Sequence, residues 1–518
     1  MKRLSPAAIK KLKLKQAILA EAASTRNLLP DEPGWDRVTT HADDLAEFAA
    51  NRLRAGYLGS PQTEVAARKA GHGVRPVPFW GVLERVYYRA LCDAVLTGRE
   101  KVDRSPEAYL RFVRAPIGYA NELQRADSKD EPLAVFFFLK SRIKYVVKSD
   151  VAAFYQFVDH AILAEELLMI GADFELIEAL LDLLSEVQGR TFGLPQLLDA
   201  SDELSEVYID RVERALLRQG LAAWRFNDDF RVACEDYSDA LAAIEALDRA
   251  TRDVGLVISE QKTVTVRFAN YLFDVISKER SEVDETISPD EVEDVVGDYT
   301  DDFGEDDADA ALEVIERAKP EPAGDTGIDL RSIRSDDVRL LRRAINGLAK
   351  AQDPRGIPSI FRLVVYTPSL MPTLMRYLTA VASKAPQDAA AVIDSLIEDA
   401  SQNDWQKLWV MDAMRALELL SSQGADERLT WVRNTRAETR NAPLRAFSTR
   451  ALAASGRLDV QDAMADAENA PDALLPVYAT AARDAVASAA GAGQASAATS
   501  LSALRRVSVL HDVLAADA

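Results

Sequence analysis

A change in hydrophobic period divides the first half of the chain. Leu45–Leu53 and Leu83–Leu96 repeat their apolar residues every three to four positions, which is the spacing of amphipathic helices. Ile143–Val151 is instead rich in β-branched and aromatic residues, and Ala222–Cys234 alternates large apolar residues around a polar Asn-Asp centre. These two segments predict a strand and a β-hairpin. Because helical patterns lie between them, we expect an α+β domain built on a small sheet.

The second half of the chain is patterned for helices. An acidic stretch, Glu279–Asp309, precedes it, and the prolines and glycines there and just beyond indicate a linker or an insertion with one short helix near Ala310–Arg317. Amphipathic segments then follow one another with short breaks. Their spacing of about 35 to 45 residues per helix pair is typical of a HEAT-like solenoid, and an irregular helical bundle fits the pattern as well.

Composition excludes several classes of protein. A chain of 518 residues is too long for one core, so two or three domains are expected. The formal net charge of −21 argues against non-specific coating of nucleic acid, although much of the acidic excess sits in one segment. Cys92 and Cys234 are too few for a disulfide framework or a zinc site, so we expect a cytoplasmic protein that holds any metal by carboxylates. The sequence contains no long apolar run, and we expect no membrane association.

Three aspartates stand at the ends of the predicted strands. Asp150 ends YVVKSD, and Asp228 and Asp229 lie at the tip of the hairpin WRFNDDFRV. The chain has other Asp-Asp pairs, but only this one is flanked by apolar β-residues such as Phe226 and Phe230, from which an exposed turn would gain nothing. Two Mg²⁺ ions about 4 Å apart, bridging a 3′-hydroxyl and a triphosphate, need carboxylates brought together in this way. The pattern therefore indicates a two-metal nucleotidyl-transfer site.

Five elements, in this order, resemble the fingers and palm of reverse transcriptases. They are RPVPFWGVLERVYYRAL at 75–91, KSDVAAFYQFVDHAIL at 148–163, GLPQ at 193–196 with Ser201 at the expected distance, FNDD at 226–229 and GLVISEQKT at 255–263. Each motif alone is weak, whereas their common order makes coincidence improbable. The resemblance implies a right-hand polymerase, and the helical pattern beyond it predicts an all-α, HEAT-like C-terminal domain. The expected parts are N-terminal helices and fingers at 1–140, a palm at 141–278, an acidic linker or insertion at 279–328 and the helical domain at 329–518.

The resemblance also assigns roles to residues of the predicted sheet. Asp150 and Asp228 would bind both catalytic Mg²⁺ or Mn²⁺ ions, together with the main-chain carbonyl of Val151, and Asp229 would assist more peripherally. Tyr155 matches the steric-gate aromatic beneath the sugar 2′-position, which implies a preference for deoxynucleotides.

Further residues complete the site that the resemblance implies. Lys262 would protonate the pyrophosphate leaving group, a task that suits a mobile ammonium. Arg75 and Arg85 would clamp the triphosphate. Solvated surface charge is the alternative for all three. The turn beneath the incoming nucleotide and the template base would be formed by Gly193, Leu194, Pro195 and Gln196.

Departures from the family pattern narrow the subtype. Leu197 follows Gln196 where glycine is usual, and we recognise no usual thumb, RNase H or endonuclease region. A palm fused to a long helical C-terminus resembles the bacterial abortive-infection and related defence-associated, unknown-group reverse transcriptases, some of which prime DNA from a protein hydroxyl without a template. This implies a DNA polymerase that consumes dNTPs, RNA-directed or template-independent, acting in anti-phage defence. Because helical solenoids often pack against copies of themselves, we also expect a homo-oligomer.

Two alternatives stay open. The first is a templated reverse transcriptase that copies a dedicated non-coding RNA. The second is a catalytically silent palm that serves as a scaffold, with the helical domain binding proteins. A scaffold has no physical reason to hold three carboxylates in mutual repulsion, which favours the enzyme.

Overall fold

The computed structural model describes residues 3–70, 73–127, 141–282, 308–320, 327–399, 401–422 and 424–491. These residues form two compact units: one takes the described residues of Met1–Ala90 and Asp301–Ala518, and the other takes those of Leu91–Thr300. The boundaries predicted after residues 140, 278 and 328 follow composition and period rather than compactness, and they stay predictions. Much of the predicted acidic linker or insertion lies outside the described residues, as do residues 128–140 of the predicted fingers.

The first unit is mostly helical, as the amphipathic pattern predicts. Its only longer strands among the described residues form a hairpin, and a two-residue parallel pairing joins Ala318–Lys319 to Ile328–Asp329. Its α-helices are Pro6–Lys11, Leu14–Ala23, Trp35–Thr40, Ala42–Ala55, most of Val82–Val95, Ala308–Arg317, Ser335–Lys350, Ile360–Tyr366, Met371–Val381, Pro386–Glu398, Asp404–Ala416, Asp426–Glu438, Ala442–Ala454, Val460–Glu468 and Leu475–Gly491.

The hairpin of this unit was not predicted. It pairs β1 (Thr63–Arg68) with β2 (Val74–Phe79) in antiparallel register. Pro76 and Pro78 lie within β2, and prolines in a sequence count against a strand because they cannot donate to the ladder. In a two-stranded hairpin both strands are edges, so prolines are tolerated where the missing N–H would face away from the partner. This hairpin is therefore added to the helices that the sequence predicts among residues 1–140.

The N-terminal segment and the C-terminal helices share the first unit through direct contacts. The buried indole of Trp405 donates from Nε1 to the carbonyl of Leu28 at 2.6 Å, and Asn403 Nδ2 donates to the carbonyl of Ala66 at 2.8 Å. The ring of Phe79 packs edge-on against that of Phe447, with centroids 6.4 Å apart. Residues separated by more than 300 positions thus build one core.

A four-stranded antiparallel sheet organises the second unit. Its strands are β3 (Tyr145–Asp150), β4 (Ala222–Phe226), β5 (Asp229–Cys234) and β6 (Val264–Arg267), in the order β4-β5-β3-β6. The first three match the predicted strand and hairpin. The four residues of β6 are too few to stand out from the sequence, and this strand was not predicted.

Helices pack against this sheet and supply its core. Val146 of β3 and Ala233 of β5 lie in one apolar cluster with Ala120, Phe268 and Tyr271 from two of the helices. None of the helices in the described parts of the chain is both long and apolar enough to cross a membrane. The helices of the second unit are the end of Val82–Val95, Pro106–Asp127, Phe154–Phe157, His160–Met169, Phe174–Gln188, Asp199–Arg218, Tyr237–Arg252 and Phe268–Glu282.

Candidate active site

Strand register brings three aspartates to one end of the four-stranded sheet. Asp150 is the last residue of β3 and lies directly opposite Asp229, the first residue of β5. Directly opposed residues of an antiparallel pair project to the same face, so their side chains are neighbours. Asp228 occupies the turn between β4 and β5, and its carbonyl accepts a hydrogen bond of 3.2 Å from the amide of Val151. The turn is thereby tied to the residue that follows Asp150.

The turn that carries Asp228 is held by aromatic packing on the β4 side. The ring of Phe226 lies 5.3 Å from that of Tyr109 and 6.0 Å from that of Phe112. Asn227 takes the left-handed conformation, with φ of 53°, which asparagine tolerates better than most residues. On the other side of the turn Phe230 is buried. The apolar residues that singled out this Asp-Asp pair in the sequence therefore fix its position in the fold.

Burial disfavours charge on Asp228 and Asp229, and repulsion from the neighbouring carboxylates adds to this effect at Asp228. Burial, then Asp150 and Asp229, raise the pKa of Asp228 to about 7. Burial also raises the pKa of Asp229, while Arg231, 3.4 Å away, opposes the rise. The Nζ of Lys262 lies 3.4 Å from Oδ2 of Asp150 and balances part of the negative charge. Such a cluster costs stability, and costly titratable clusters concentrate at functional sites.

The same carboxylates suit a hard divalent cation. No three His, Cys, Asp or Glu side chains are grouped to hold a metal ion within the described ranges. Mg²⁺ commonly uses only one or two carboxylates and completes its shell with water and substrate phosphates. Asp150 and Asp228, with a main-chain carbonyl beside them, offer that donor set. Burial first, and the neighbouring carboxylates after it, raise the pKa of Asp228, and a bound cation would offset both effects.

The segment that carries Lys262 is fastened to the end of β3. The amide of Ser259 donates to the carbonyl of Asp150 at 2.7 Å, and the amide of Lys262 donates to the carbonyl of Ser259 at 3.1 Å. The hydroxyls of Ser149 and Thr263 are 2.8 Å apart. The side chain of Lys262 is 53% exposed, so its ammonium can move while its backbone is held.

The GLPQ turn is fastened beside Tyr155. The amide of Leu194 donates to the carbonyl of Tyr155 at 2.6 Å, and the amide of Gly193 donates to that of Val158 at 2.7 Å. Gly193 has φ of +89°, and a Cβ there would lie 3.1 Å from the carbonyl oxygen of Gln156. Both the conformation and the close approach call for glycine at this position.

Polar groups hold the rest of the turn and leave one acceptor open. The carbonyl of Gly193 accepts hydrogen bonds from His160 Nε2 at 2.8 Å and Gln188 Nε2 at 3.0 Å. The hydroxyl of Ser201 donates to the carbonyl of Pro195 at 2.5 Å. The amide oxygen of Gln196 is buried and has no hydrogen-bond partner in the part of the chain that the structure describes. Asn227 Oδ1 is another such acceptor, and a ligand that donates a hydrogen bond would satisfy the oxygen of Gln196.

The departure at Leu197 coincides with a strained backbone. Leu197 has φ of 62°, in the left-handed region that costs L-residues about 1–2 kcal/mol. Glycine adopts this conformation without that cost. The family's usual glycine after Gln196 is therefore the residue that this backbone favours, and the present chain holds leucine there against the preference.

The two arginines predicted to clamp a triphosphate belong to the other compact unit. Arg75 lies on β2. Arg85 is buried, and its Nε and Nη1 donate to Glu21 at 3.0 Å and to Glu32 at 2.8 Å. Its guanidinium also lies 4.4 Å from the ring centroid of Trp35. A triphosphate role for Arg85 stays a prediction, and it would require these buried pairs to open.

A chain of ion pairs next to Tyr155 was missed in the sequence. Asp202, Glu206 and Glu213 lie on the helix Asp199–Arg218 and pair with Arg104 and Arg225. A signal was available, because acidic residues spaced four and seven positions apart share one helix face. Charged residues at such spacing usually indicate a solvated helix face, so the sequence alone does not distinguish these buried pairs from surface charge.

Comparisons with known proteins identify the domain that contains this site. The family model described as reverse transcriptase (RNA-dependent DNA polymerase) matches residues 123–292. Residues 123–292 thus carry a reverse-transcriptase-like domain. No curated protein matches the chain.

Solved structures similar to the chain include two telomerases. A telomerase from Candida albicans, in complex with a TWJ fragment of telomeric RNA, is 10% identical with a TM-score of 0.31, and the match covers 73% of this chain and 64% of that one. A telomerase from Candida tropicalis, also with a TWJ fragment, is 11% identical with a TM-score of 0.29, covering 76% and 68%. This chain therefore spans just under two thirds of the first telomerase.

Proposed function

We propose that this chain, with its reverse-transcriptase-like domain at residues 123–292, is a Mg²⁺-dependent polymerase that makes DNA from dNTPs. The observation that supports it best is that Asp150, Asp228 and Lys262 lie together at one end of the four-stranded sheet, within the residues that match the family model. The reaction joins the 3′-oxygen of a primer to the α-phosphorus of the dNTP and releases pyrophosphate.

Each residue of the site has a part in this proposal. Asp150, Asp228 and the carbonyl of Val151 would hold the divalent cations, with Asp229 assisting. Mg²⁺ or Mn²⁺ bound there supplies positive charge that offsets the charge developing on the triphosphate. The ammonium of Lys262 would give a proton to the departing pyrophosphate.

The nucleotide itself would be held by the GLPQ turn and by Tyr155. The ring of Tyr155 would close the space beneath the sugar 2′-position and so select deoxynucleotides. The open amide oxygen of Gln196 offers an acceptor for a donor on the nucleotide or the template base. The turn Gly193–Pro195, fastened to the main chain of residues 155 and 158, would support both. Arg75 stays a candidate contact for the triphosphate.

The biological setting of the proposal rests on architecture. We propose a role in anti-phage defence by abortive infection, with DNA made from an RNA template or without one and with protein priming. We also propose that the C-terminal helices form a HEAT-like solenoid that supports a homo-oligomer. A cytoplasmic location fits a chain with only two cysteines, Cys92 and Cys234, both of which are buried. If light scattering shows a monomer at all protein concentrations, the proposal of a homo-oligomer is wrong.

Removal of the ammonium of Lys262 is expected to slow the chemical step. Lys262→Met should lower kcat by about a hundredfold, the usual scale for a lost general acid, with little change in KM. The fold should survive, because this side chain is half exposed. Steady-state incorporation kinetics measure the effect, with Lys144→Met, an exposed lysine just before β3, as the matched control. If kcat of Lys262→Met is unchanged, Lys262 is a solvated surface charge and not a general acid.

Ligand binding separates the enzyme from a silent scaffold. We expect Mg²⁺ with a dNTP to raise the melting temperature of the full chain, and neither alone to raise it as far, since the phosphates complete the metal shell. A scaffold would show no such joint shift. The nucleic acid that copurifies with the protein then distinguishes two modes of synthesis. One defined RNA would support the copying of a dedicated RNA, and covalently attached DNA would support protein-primed synthesis.

A further inference from the structure

The proposed steric gate is attached to the neighbouring helix by its hydroxyl. The OH of Tyr155 donates a hydrogen bond of 2.7 Å to Oδ1 of Asp202, and Ser205 Oγ lies 3.4 Å from the same hydroxyl. Burial raises the pKa of Tyr155, so the phenol keeps its proton and stays a donor. The ring alone would be enough to close the space beneath the sugar, so the hydrogen bond of the hydroxyl is not explained by the gate itself.

Asp202 is in turn held by an arginine. Arg104 contacts the carboxylate of Asp202 at 4.0 Å and donates to its main-chain carbonyl at 3.3 Å, to Ser205 Oγ at 3.4 Å and to Glu206 at 3.3 Å. Burial raises the pKa of Asp202, and the charge of Arg104 and the Tyr155 hydroxyl both oppose that rise. The acceptor that Tyr155 uses is therefore held in place by Arg104, whose charge offsets part of the cost of burying this carboxylate.

The same chain of contacts reaches the turn that carries Asp228. Glu206 accepts a hydrogen bond of 2.6 Å from Arg225, and Arg225 donates to the main-chain carbonyl of Asn227 at 3.0 Å. Asn227 immediately precedes Asp228. One ion-pair chain thus joins the side chain beneath the proposed sugar site to the backbone beside the proposed metal site.

Tyr155 needs such an anchor because its own helix is short. It lies in Phe154–Phe157, a four-residue turn that begins after Ala153 in the left-handed conformation, and isolated turns of this length are not stable alone. The helix Asp199–Arg218, which supplies Asp202, has 20 residues and a buried face. A steric gate discriminates only if its ring cannot recede, since displacements of about 1 Å change rates by about a hundredfold.

We infer that Asp202, held by Arg104, is a positioning residue that fixes the ring of Tyr155 and thereby sets the discrimination between deoxynucleotides and ribonucleotides. The inference rests on the proposed function, because it concerns the nucleotide of that same site. Asp202 touches the gate and need not touch the nucleotide.

The test is the ratio of kcat/KM for dCTP over CTP, measured on the full chain. Asp202→Ala removes the acceptor and should lower this ratio about tenfold, the scale of one unpaired buried hydroxyl. Tyr155→Phe breaks the same bond from the other side, leaves Asp202 and Arg104 together, and should lower the ratio to a similar extent. The double variant should lower the ratio no further than the more severe of the two single variants, because both substitutions remove the same interaction.

Further variants separate positioning from general damage. Asp202→Asn keeps an amide oxygen as acceptor and should retain most of the selectivity. Asp210→Asn, on the same helix but paired with Arg214, should leave the ratio unchanged. Tyr155→Ala removes the ring and should relax selectivity the most. A general loss of folding would lower incorporation of both nucleotides and leave their ratio intact.

The outcomes distinguish this inference from the proposed function. Relaxed selectivity in Tyr155→Ala together with full selectivity in Asp202→Ala or Tyr155→Phe would overturn the role of Asp202 and leave the polymerase standing. A wild-type protein that neither incorporates nor binds dCTP would overturn the proposed function, and the role of Asp202 with it.

Discussion

Asp228→Asn is expected to abolish DNA synthesis and, in the metal-free protein, to raise thermal stability. Loss of the carboxylate should lower incorporation by about a thousandfold, which corresponds to a few kcal/mol of lost charge stabilisation. The uncharged amide also removes repulsion with Asp150 and Asp229, which together with burial raises the pKa of Asp228 to about 7. Incorporation assays and thermal melts without metal measure the two effects.

The opposite signs of these effects make the prediction specific. An ordinary destabilising substitution lowers activity and stability together. Asp248→Asn, which breaks a surface pair with Arg252, is the matched control and should change neither quantity measurably. A metal-free Asp228→Asn protein that melts below the wild type would contradict the picture of a repulsive carboxylate cluster.

Arg85→Met is expected to cause the largest loss of stability. Glu32 keeps its pair with Arg26, but the buried carboxylate of Glu21 is left with only Arg89 at 4.0 Å, and breaking a buried pair in this way costs about 3–5 kcal/mol. Thermal and chemical unfolding of the full chain measure it, followed by a probe within the first unit such as the fluorescence of its tryptophans.

The control for this prediction is Arg317→Met, which removes a surface pair with Glu313 and should have almost no effect. If Arg85→Met melts like the wild type but loses affinity for dNTPs, Arg85 contacts the triphosphate, as the sequence predicted. In that case the pairs with Glu21 and Glu32 do not hold the fold.

The sequence predicted those features that depend on residues close together along the chain. Alternation of apolar residues around Asn227 and Asp228 predicted a hairpin, and β4 and β5 form it. The α+β class of this region and the helical pattern of the C-terminal half are confirmed as well. The roles given to Asp150, Asp228, Tyr155 and the other site residues stay predictions.

Other features depend on partners far away in the chain. Arg85 pairs with residues 64 and 53 positions distant, so nothing beside it in the sequence separates a buried structural arginine from a phosphate clamp. Trp405 lies 377 positions from the carbonyl that it contacts. The strand β2 was hidden by its prolines, which a two-stranded hairpin tolerates at its edges.

The acceptor for Tyr155 was hidden in a different way. Asp202 stands in an amphipathic helix whose acidic residues look like an ordinary solvated face. Only the fold shows that Arg104 and the Tyr155 hydroxyl face this carboxylate. The motif could single out Tyr155, whereas its partner Asp202 could be found only from the contacts in the fold.

The most direct test of the central claim is incorporation of labelled dNTPs by the purified full chain with Mg²⁺, with and without added RNA, beside the Asp228→Ala, Asp229→Ala double variant. The account predicts a labelled DNA product that requires Mg²⁺ and disappears in the variant. Dependence on added RNA would show templated synthesis, and independence would show untemplated synthesis. Absence of product from the wild type, even with host nucleic acid retained, or equal product from the variant, would contradict a polymerase site at these aspartates.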